Sequence, residues 1–241
     1  MSRPEGIYNP IIAALDVNTF DEAQALFEKL NPLIDFYKIG MELFTAVGPK
    51  IVEHIKARGG KVFLDLKYHD IPNSVEKAVA AAAALEVDML TIHAGGGKAM
   101  LEAAAKGTGG RNTPILLGVT VLTSIDDAVL RSELRVPTSV QKHVNHMAQL
   151  TVASGLQGVV ASPLEIANLR RVLGDKPVIV TPGIRPLRRE EKVQADDQKR
   201  FATPTEAVAA GADYLVIGRP ITQAPDPVEA AYKITQDLKK K

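Results

Sequence analysis

The stretch Val62-Phe63-Leu64-Asp65-Leu66-Lys67-Tyr68-His69-Asp70 joins an apolar run, typical of a buried strand, to a cluster of charges at its carboxyl end. We predict a strand over residues 62–66. Because side chains alternate along a strand, Asp65 and Lys67 are expected on one face, with Asp70 just beyond the strand. Three charges at the mouth of a hydrophobic element oppose burial, so core packing does not account for them. They indicate a charge array arranged for catalysis.

Similar β-rich runs recur along the whole chain, with helical segments between them. The predicted strands cover residues 11–15, 36–39, 62–66, 89–92, 115–120, 158–161, 178–181 and 214–217. Helix-start signals follow at Ser162 and Thr203, each a hydroxyl residue with proline next and glutamate three positions on. Strands alternating with helices favour a (β/α)8 TIM barrel, and 241 residues suit a single domain of that fold, residues 1–241. A doubly wound open sheet is the alternative.

The composition excludes several classes of function. The chain has 29 basic and 28 acidic residues and a net charge of +1, so we expect neither nucleic acid nor a membrane surface as a partner. It has no cysteine, which excludes disulfides, thiol catalysis and thiolate metal sites. No apolar run approaches the ~20 residues of a membrane span, and the first residues lack the apolar core of a signal peptide. A cytoplasmic protein is therefore expected.

Polar residues collect at the carboxyl ends of the predicted strands, the edge that carries the active site in barrels of this kind. They are Asp16, Lys38, Asp65, Lys67, His93, Thr123, Gly183, Gly218 and Arg219. Asp16 could cap the next helix, but Thr19 with Glu22 supplies that cap, which leaves Asp16 for a ligand hydroxyl. Lys38 could simply extend to solvent. Within reach of Asp65, it would instead join an alternating chain of charges.

The histidine at this edge, His93, is followed by the glycine-rich run Ala94-Gly95-Gly96-Gly97. That run lacks the glycine spacing of a dinucleotide-binding loop, and no second histidine stands at metal-ligand spacing. We therefore interpret His93 as a structural residue.

The turns after the last two predicted strands indicate a phosphate site. They read Thr181-Pro182-Gly183-Ile184-Arg185 and Val216-Ile217-Gly218-Arg219-Pro220. Glycine lets backbone N–H groups approach an anion, arginine adds a forked donor, and barrels often bind phosphate after strands seven and eight. The simpler interpretation is two turns with surface arginines. The long, charged connection over about residues 183–202 is typical of a lid.

The run 65–74, together with Asp16, Lys38, residues 119–124 and residues 218–220, resembles the bacterial type of the orotidine 5'-phosphate decarboxylase family. The similarity extends from the first predicted strand to the last. It implies a homodimeric barrel that converts orotidine 5'-phosphate to UMP and CO2, the last step of de novo pyrimidine biosynthesis. It also implies that the reaction needs no cofactor and no metal.

The resemblance assigns roles by position. Lys67 would donate a proton to C6 of the pyrimidine within an array of Lys38, Asp65, Lys67 and Asp70. Asp70 and Ile71 would reach into the partner subunit's site. Asp16 and Lys38 would bind the ribose, and Thr123 would bind the pyrimidine edge. The implied phosphate ligands are Arg185, Gln194, Gly218 and Arg219. Asp65 and Ile71 are also implied to bind the substrate.

The chemistry of this array suits the implied reaction. Loss of CO2 leaves a carbanion with no adjacent carbonyl to delocalise it, so a positioned cation must stabilise it. Opposite charges stabilise each other, at about 4 kcal/mol for a contact of about 4 Å and an effective dielectric near 20. Lys67 between carboxylates could thus act as electrostatic stabiliser and as general acid.

Two alternatives to this function stay open. Magnesium-dependent enzymes such as 3-keto-gulonate 6-phosphate decarboxylase and hexulose phosphate synthase share the Asp-x-Lys-x-x-Asp array, but carry a glutamate metal ligand where this chain has Lys38. An ammonium at that position would repel a divalent cation. A barrel that only binds a phosphate ligand is disfavoured, because the catalytic array is complete in the sequence.

Overall fold

The computed structural model describes residues 9–111, 114–186 and 201–239. Within them, parallel strands close into a barrel in chain order, and β8 pairs with β1. The strands are β1 (Ile11–Ala14), β2 (Phe36–Gly40), β3 (Lys61–Tyr68), β4 (Met89–His93), β5 (Ile115–Val119), β6 (Gly158–Val160), β7 (Val178–Thr181) and β8 (Tyr214–Ile217). The predicted (β/α)8 barrel is confirmed, and the open-sheet alternative is wrong.

Helices connect the strands around the outside of the barrel. They are α1 (Phe20–Leu30), α2 (Met41–Val47), α3 (Lys50–Lys56), α4 (Pro72–Ala84), α5 (Gly97–Gly107), α6 (Asp127–Ser132), α7 (Val140–Ala153), α8 (Ile166–Leu173), α9 (Pro204–Ala210), α10 (Arg219–Thr222) and α11 (Pro227–Lys239). None of the helices in the described ranges is both long and apolar enough to cross a membrane.

The helix starts at Thr19 and Thr203 form as predicted. The hydroxyl of Thr19 accepts from the backbone N–H of Glu22 at 3.3 Å, and that of Thr203 accepts from Glu206 at 3.2 Å. The start at Ser162 also forms a capping box, in which the Glu165 carboxylate accepts from the backbone N–H of Ser162 at 2.9 Å. Its first turn, Pro163–Glu165, is a 3-10 turn that leads into α8.

Alternation along the strands divides their side chains between two cores. One row fills the barrel interior with Ile12, Ala14, Phe36, Phe63, Met89, Leu117, Val180 and Val216. The other row packs beneath the helices. In β2 the inward row continues from Phe36 to Lys38, and in β3 from Phe63 to Asp65. The alternation that points Phe36 and Phe63 into the barrel thus also points Lys38 and Asp65 into its carboxyl-terminal mouth.

At the opposite end of the barrel, three side chains each tie two strands together. Asp88, Gln157 and Asp213 precede β4, β6 and β8. The backbone N–H of each donates to the carbonyl of one residue in the preceding strand. The side-chain oxygen of each then accepts the backbone N–H of that strand residue at 2.7–2.8 Å. The residues bound in this way are Val62, Leu116 and Ile179. We call these three pairs the amino-end ties.

Arg170 of α8 reinforces the tie at Asp213. Its guanidinium pairs with the Asp213 carboxylate at 2.5 Å and donates to the carbonyls of Gly211 and Pro177 at 2.9 and 2.7 Å. Its side chain is only 14% exposed. Arg170 therefore holds α8 against the segments that lead into β7 and β8.

We expect Arg170→Ala to lower the free energy of unfolding by about 2–3 kcal/mol, because it removes the partly buried guanidinium that pairs with Asp213 and donates to the carbonyls of Gly211 and Pro177. Urea unfolding at fixed protein concentration measures the loss. The matched control is Arg171→Ala, an exposed neighbour on the same helix, which should change stability by at most about 0.5 kcal/mol. Equal stability of the two variants would contradict the role given to Arg170.

The segment after β3 meets the end of β4 through two stacked imidazoles. The rings of His69 and His93 lie 5.0 Å apart at an interplanar angle of 8°. The backbone N–H of Gly95 donates to Nδ1 of His93 at 3.2 Å. These contacts agree with the structural role predicted for His93. Burial, aided by the nearby His69 and Lys67, lowers the pKa of His93 from its ordinary value of 6.5.

This lowered pKa predicts a loss of stability in acid. As the pH falls below about 6.5, the unfolded chain binds a proton on His93 that the folded protein does not, so the free energy of unfolding falls. Burial also lowers the pKa values of His54 and His143, which act in the same direction. We expect His93→Asn, which keeps an acceptor for Gly95, to reduce this dependence between about pH 7 and pH 5.

Urea unfolding at several pH values checks this prediction, with Gln149→Asn, at an exposed and uncharged residue of α7, as the control. The control should keep the pH dependence of the unsubstituted protein. If the free energy of unfolding of His93→Asn falls with pH as steeply as that of the unsubstituted protein, His93 does not contribute.

Candidate active site

A cavity of about 420 Å³ opens at the carboxyl ends of the strands, within the size range of small-molecule sites. One wall is charged and consists of Asp16, Lys38, Asp65 and Lys67. Strands β5, β6 and β8 contribute Val119, Val160 and Val216 to the lining. The cavity therefore combines a charged wall with apolar lining. Such a site can hold an apolar ring next to charged groups.

The charged wall is a chain of alternating sign. Lys38 Nζ lies 2.9 Å from Asp16 Oδ1 and 3.9 Å from Asp65 Oδ2, and Lys67 Nζ lies 2.9 Å from Asp65 Oδ1. The side chains of Lys38 and Asp65 are 12% and 15% exposed, whereas that of Asp16 is 52% exposed. The inner charges are thus stabilised mainly by one another, and the Asp16 carboxylate is open to a ligand.

Lys67 reaches this chain through an irregular part of β3. Leu64 pairs with Leu90 and Tyr68 with Ile92, so three residues of β3 lie opposite the single residue Thr91 of β4. Lys67 itself adopts a left-handed backbone conformation with φ of 51°, which costs on the order of 1–3 kcal/mol for a residue with a side chain. Asp65 and Lys67 face the same cavity, as expected, but Lys67 reaches it through this irregular backbone and not through simple alternation.

Thr91 occupies the gap that this irregularity leaves. Its side chain is fully buried, and its hydroxyl accepts from the backbone N–H of Lys67 at 2.8 Å. The same hydroxyl donates to Asp65 Oδ1 at 3.0 Å. Thr91 is not among the site residues predicted from the sequence. The only signal for it was its position two residues after Met89 in the inward row of β4.

Two glycines make room for the charged wall. A Cβ atom added at Gly40 would lie 3.0 Å from Lys38 Nζ, and one added at Gly218 would lie 3.1 Å from Asp16 Oδ2. Both approaches are closer than ordinary van der Waals contact. Gly218, predicted as an anion-binding turn, therefore also borders the Asp16 carboxylate.

Four of the other predicted binding residues lie at the cavity, and one lies outside the described residues. Thr123, Arg185, Gly218 and Arg219 line the same cavity as the charged wall. The backbone N–H of Arg185 donates to the carbonyl of Ala202 at 3.0 Å, so the two described ends of the predicted lid are joined. Gln194 and residues 187–200 of that lid lie outside the described residues.

Asp70 and Ile71 do not line the cavity of their own chain. Both are exposed, Ile71 to 66%, and the Asp70 carboxylate accepts from the backbone N–H of Ile71 at 2.6 Å. Within the described ranges, no ion pair joins Asp70 to Lys67 of the same chain. A single chain thus brings together three of the four predicted members of the array, Lys38, Asp65 and Lys67.

The described residues also offer no obvious metal centre. Among residues 9–111, 114–186 and 201–239, no three histidine, aspartate or glutamate side chains are grouped closely enough to hold a metal ion.

Burial raises the pKa of Tyr68 at the end of β3 above its ordinary value of 10.0, which favours the neutral phenol. The charges at this end of β3 are therefore those of Asp65 and Lys67.

Comparisons with known proteins agree with this geometry. The family model described as "Orotidine 5'-phosphate decarboxylase / HUMPS family" matches residues 9–234. The orotidine 5'-phosphate decarboxylase of Moorella thermoacetica is 48% identical over 234 residues, 95% of this chain and 91% of that protein. The crystal structure of the orotidine 5'-phosphate decarboxylase from Lactobacillus acidophilus has a TM-score of 0.83 and 39% identity, covering 95% of this chain and 98% of that one. This chain belongs to the orotidine 5'-phosphate decarboxylase / HUMPS family.

Proposed function

We propose that this protein decarboxylates orotidine 5'-phosphate to UMP and CO2, the last step of UMP biosynthesis. The observation that carries the proposal is the Lys67 ammonium, held 2.9 Å from Asp65 in the wall of a cavity that valines of β5, β6 and β8 also line. The curated relatives of similar length, at 44–48% identity, bear the name of this enzyme. The family match and the site therefore point to the same reaction.

In the proposed reaction, the bond between C6 of the pyrimidine and the carboxylate carbon breaks, and its electron pair stays on C6. Lys67 stabilises this developing negative charge because its ammonium is already in place before CO2 leaves. It then donates a proton to C6, which completes UMP and leaves a neutral amine that recovers its proton from water. Asp65 acts by holding the lysine Nζ at a fixed point of the wall.

The remaining cavity residues match the other parts of this substrate. The exposed Asp16 carboxylate and Lys38 would bind the ribose hydroxyls, and Thr123 the polar edge of the pyrimidine. Gly218, Arg185 and Arg219 would bind the phosphate together with Gln194. Because the phosphate lies far from C6, its binding energy accelerates the reaction only if it helps to hold the substrate and the lid in the reactive arrangement.

We further propose a homodimer in which each site is completed by the partner subunit's Asp70 and Ile71. Two observations support this. Asp70, the fourth member of the predicted array, is exposed and unpaired with Lys67 in its own chain, and Ile71 beside it exposes 66% of an apolar side chain. An exposed segment of this kind fits a two-fold interface, in which each subunit contributes the same residues to the other subunit's site.

The magnesium-dependent sugar-phosphate reactions of the same family are less well supported. Lys38 stands where those enzymes would need a metal ligand, and its ammonium pairs with both Asp16 and Asp65. The carboxylates that could bind a cation are thus already neutralised.

The single-domain organisation with a lid at 183–202 and the cytoplasmic location stay predictions.

The direct test follows the loss of ultraviolet absorbance when the purified protein is mixed with orotidine 5'-phosphate. We expect turnover that a chelator does not reduce, because no step of the proposed reaction uses a metal. Lys67→Ala should lower kcat by at least about 10³-fold, since it removes both the stabilising charge and the acid.

The matched control is Lys98→Ala, an exposed lysine of α5 that pairs with Glu102 and lies outside the cavity. It should keep full activity. Absence of turnover by the unsubstituted protein would reject the proposed function. Turnover that disappears with the chelator would favour the magnesium-dependent alternative.

Mixing two inactive variants tests the shared site. In a heterodimer of Lys67→Ala and Asp70→Asn chains, one site carries both substitutions and the other carries neither. An equal mixture that exchanges subunits should therefore regain about a quarter of the unsubstituted activity. Each variant alone should stay inactive. A mixture that recovers no activity, although mass spectrometry shows heterodimers, would mean that the partner's Asp70 does not complete the site.

A further inference from the structure

We infer that Thr91 is a positioning residue that holds Lys67 and Asp65 in their reactive arrangement through a single hydroxyl group. The inference rests on the proposed function for its kinetic consequence, but the geometry can be tested without it. Thr91 is fully buried and does not line the cavity, so it acts through its neighbours rather than on the substrate.

The first neighbour is the backbone of Lys67. Three residues of β3 lie opposite Thr91 alone, so the regular ladder between β3 and β4 is interrupted at this point. The Lys67 N–H donates to the Thr91 hydroxyl at 2.8 Å instead of to a backbone carbonyl. Because a partly buried N–H is stabilised by an acceptor, this bond favours the left-handed conformation of Lys67, with φ of 51°. That conformation sets the direction in which the lysine side chain leaves the strand.

The second neighbour is the carboxylate of Asp65. Its Oδ1 accepts from the Thr91 hydroxyl at 3.0 Å and from Lys67 Nζ at 2.9 Å. Its Oδ2 faces Lys38 Nζ at 3.9 Å. The threonine proton thus fixes the carboxylate, and the carboxylate in turn fixes the ammonium.

One hydroxyl therefore orients the same lysine from both ends, through its backbone and through its ionic partner. A hydroxyl can do this because it accepts one hydrogen bond while donating another. Valine has nearly the same shape but can do neither. Serine keeps both bonds and loses only a methyl group.

We expect Thr91→Val to lower kcat by about 10- to 100-fold, the effect of a misplacement of about 1 Å, while KM changes by less than about threefold. Thr91→Ser should keep kcat within about threefold of the unsubstituted protein. Thr235→Val removes a buried hydroxyl that donates only to Ala231 of its own helix, and it should leave kcat unchanged. If Thr91→Val does not fold, Thr91→Ala takes its place in the same measurements.

Crystal structures of Thr91→Val and Thr91→Ser provide the readout that is independent of turnover. In the valine variant we expect Lys67 to leave the left-handed region or its Nζ to move away from Asp65, and in the serine variant neither change. Retention of both features in Thr91→Val would overturn the inference, whatever the activity. Unchanged kcat in Thr91→Val, or equal losses in the valine and serine variants, would also overturn it. Lack of turnover by the unsubstituted protein would reject the proposed function alone.

Discussion

A closed barrel of parallel strands must fill its interior with side chains from every second strand position, and the first position beyond the filled layers faces the mouth. In β2 and β3 that position holds Lys38 and Asp65, directly above the buried rings of Phe36 and Phe63. The packing that excludes water from the barrel therefore also decides where the charges stand. The whole ionic wall depends on this register, because a shift by one residue would turn both side chains toward the helices.

The ionic wall is stable because its charges alternate. Removing Lys38 and Asp65 from most of their water costs free energy, which the close partners on each side offset. Two carboxylates and two ammonium groups leave the wall without net charge, so it can exist before any ligand arrives. The donors and dipoles need little rearrangement when a negative charge develops in the cavity, which is the condition under which electrostatic stabilisation is most effective.

Much of this structure could be predicted from the sequence, since apolar runs and helix-start signals are local patterns. The strands end within about one residue of their predicted positions except for β3, which continues to Tyr68. There, the charges at Asp65 and Lys67 looked like the end of a strand, but contacts with β4 extend it. The irregular pairing at Lys67 was invisible because it depends on β4 rather than on the local sequence.

Thr91 was missed for a related reason. Its partners lie 26 and 24 residues away in the chain, at Asp65 and Lys67, and a lone threonine in an apolar run usually packs in a core. Asp70 could be placed beyond its strand, but no local sequence pattern indicates whether it contributes to the site of its own chain or to that of a partner subunit. Gln194 falls outside the described residues, so its assignment still rests on resemblance.

The amino-end ties have an evolutionary consequence. Asp88, Gln157 and Asp213 join neighbouring strands at the end of the barrel that is farthest from the cavity. The residues that keep the strands in register are thus different from those that meet the ligand. A lineage can exchange side chains around the mouth, and so explore new substrates, while the foundation of the fold stays intact.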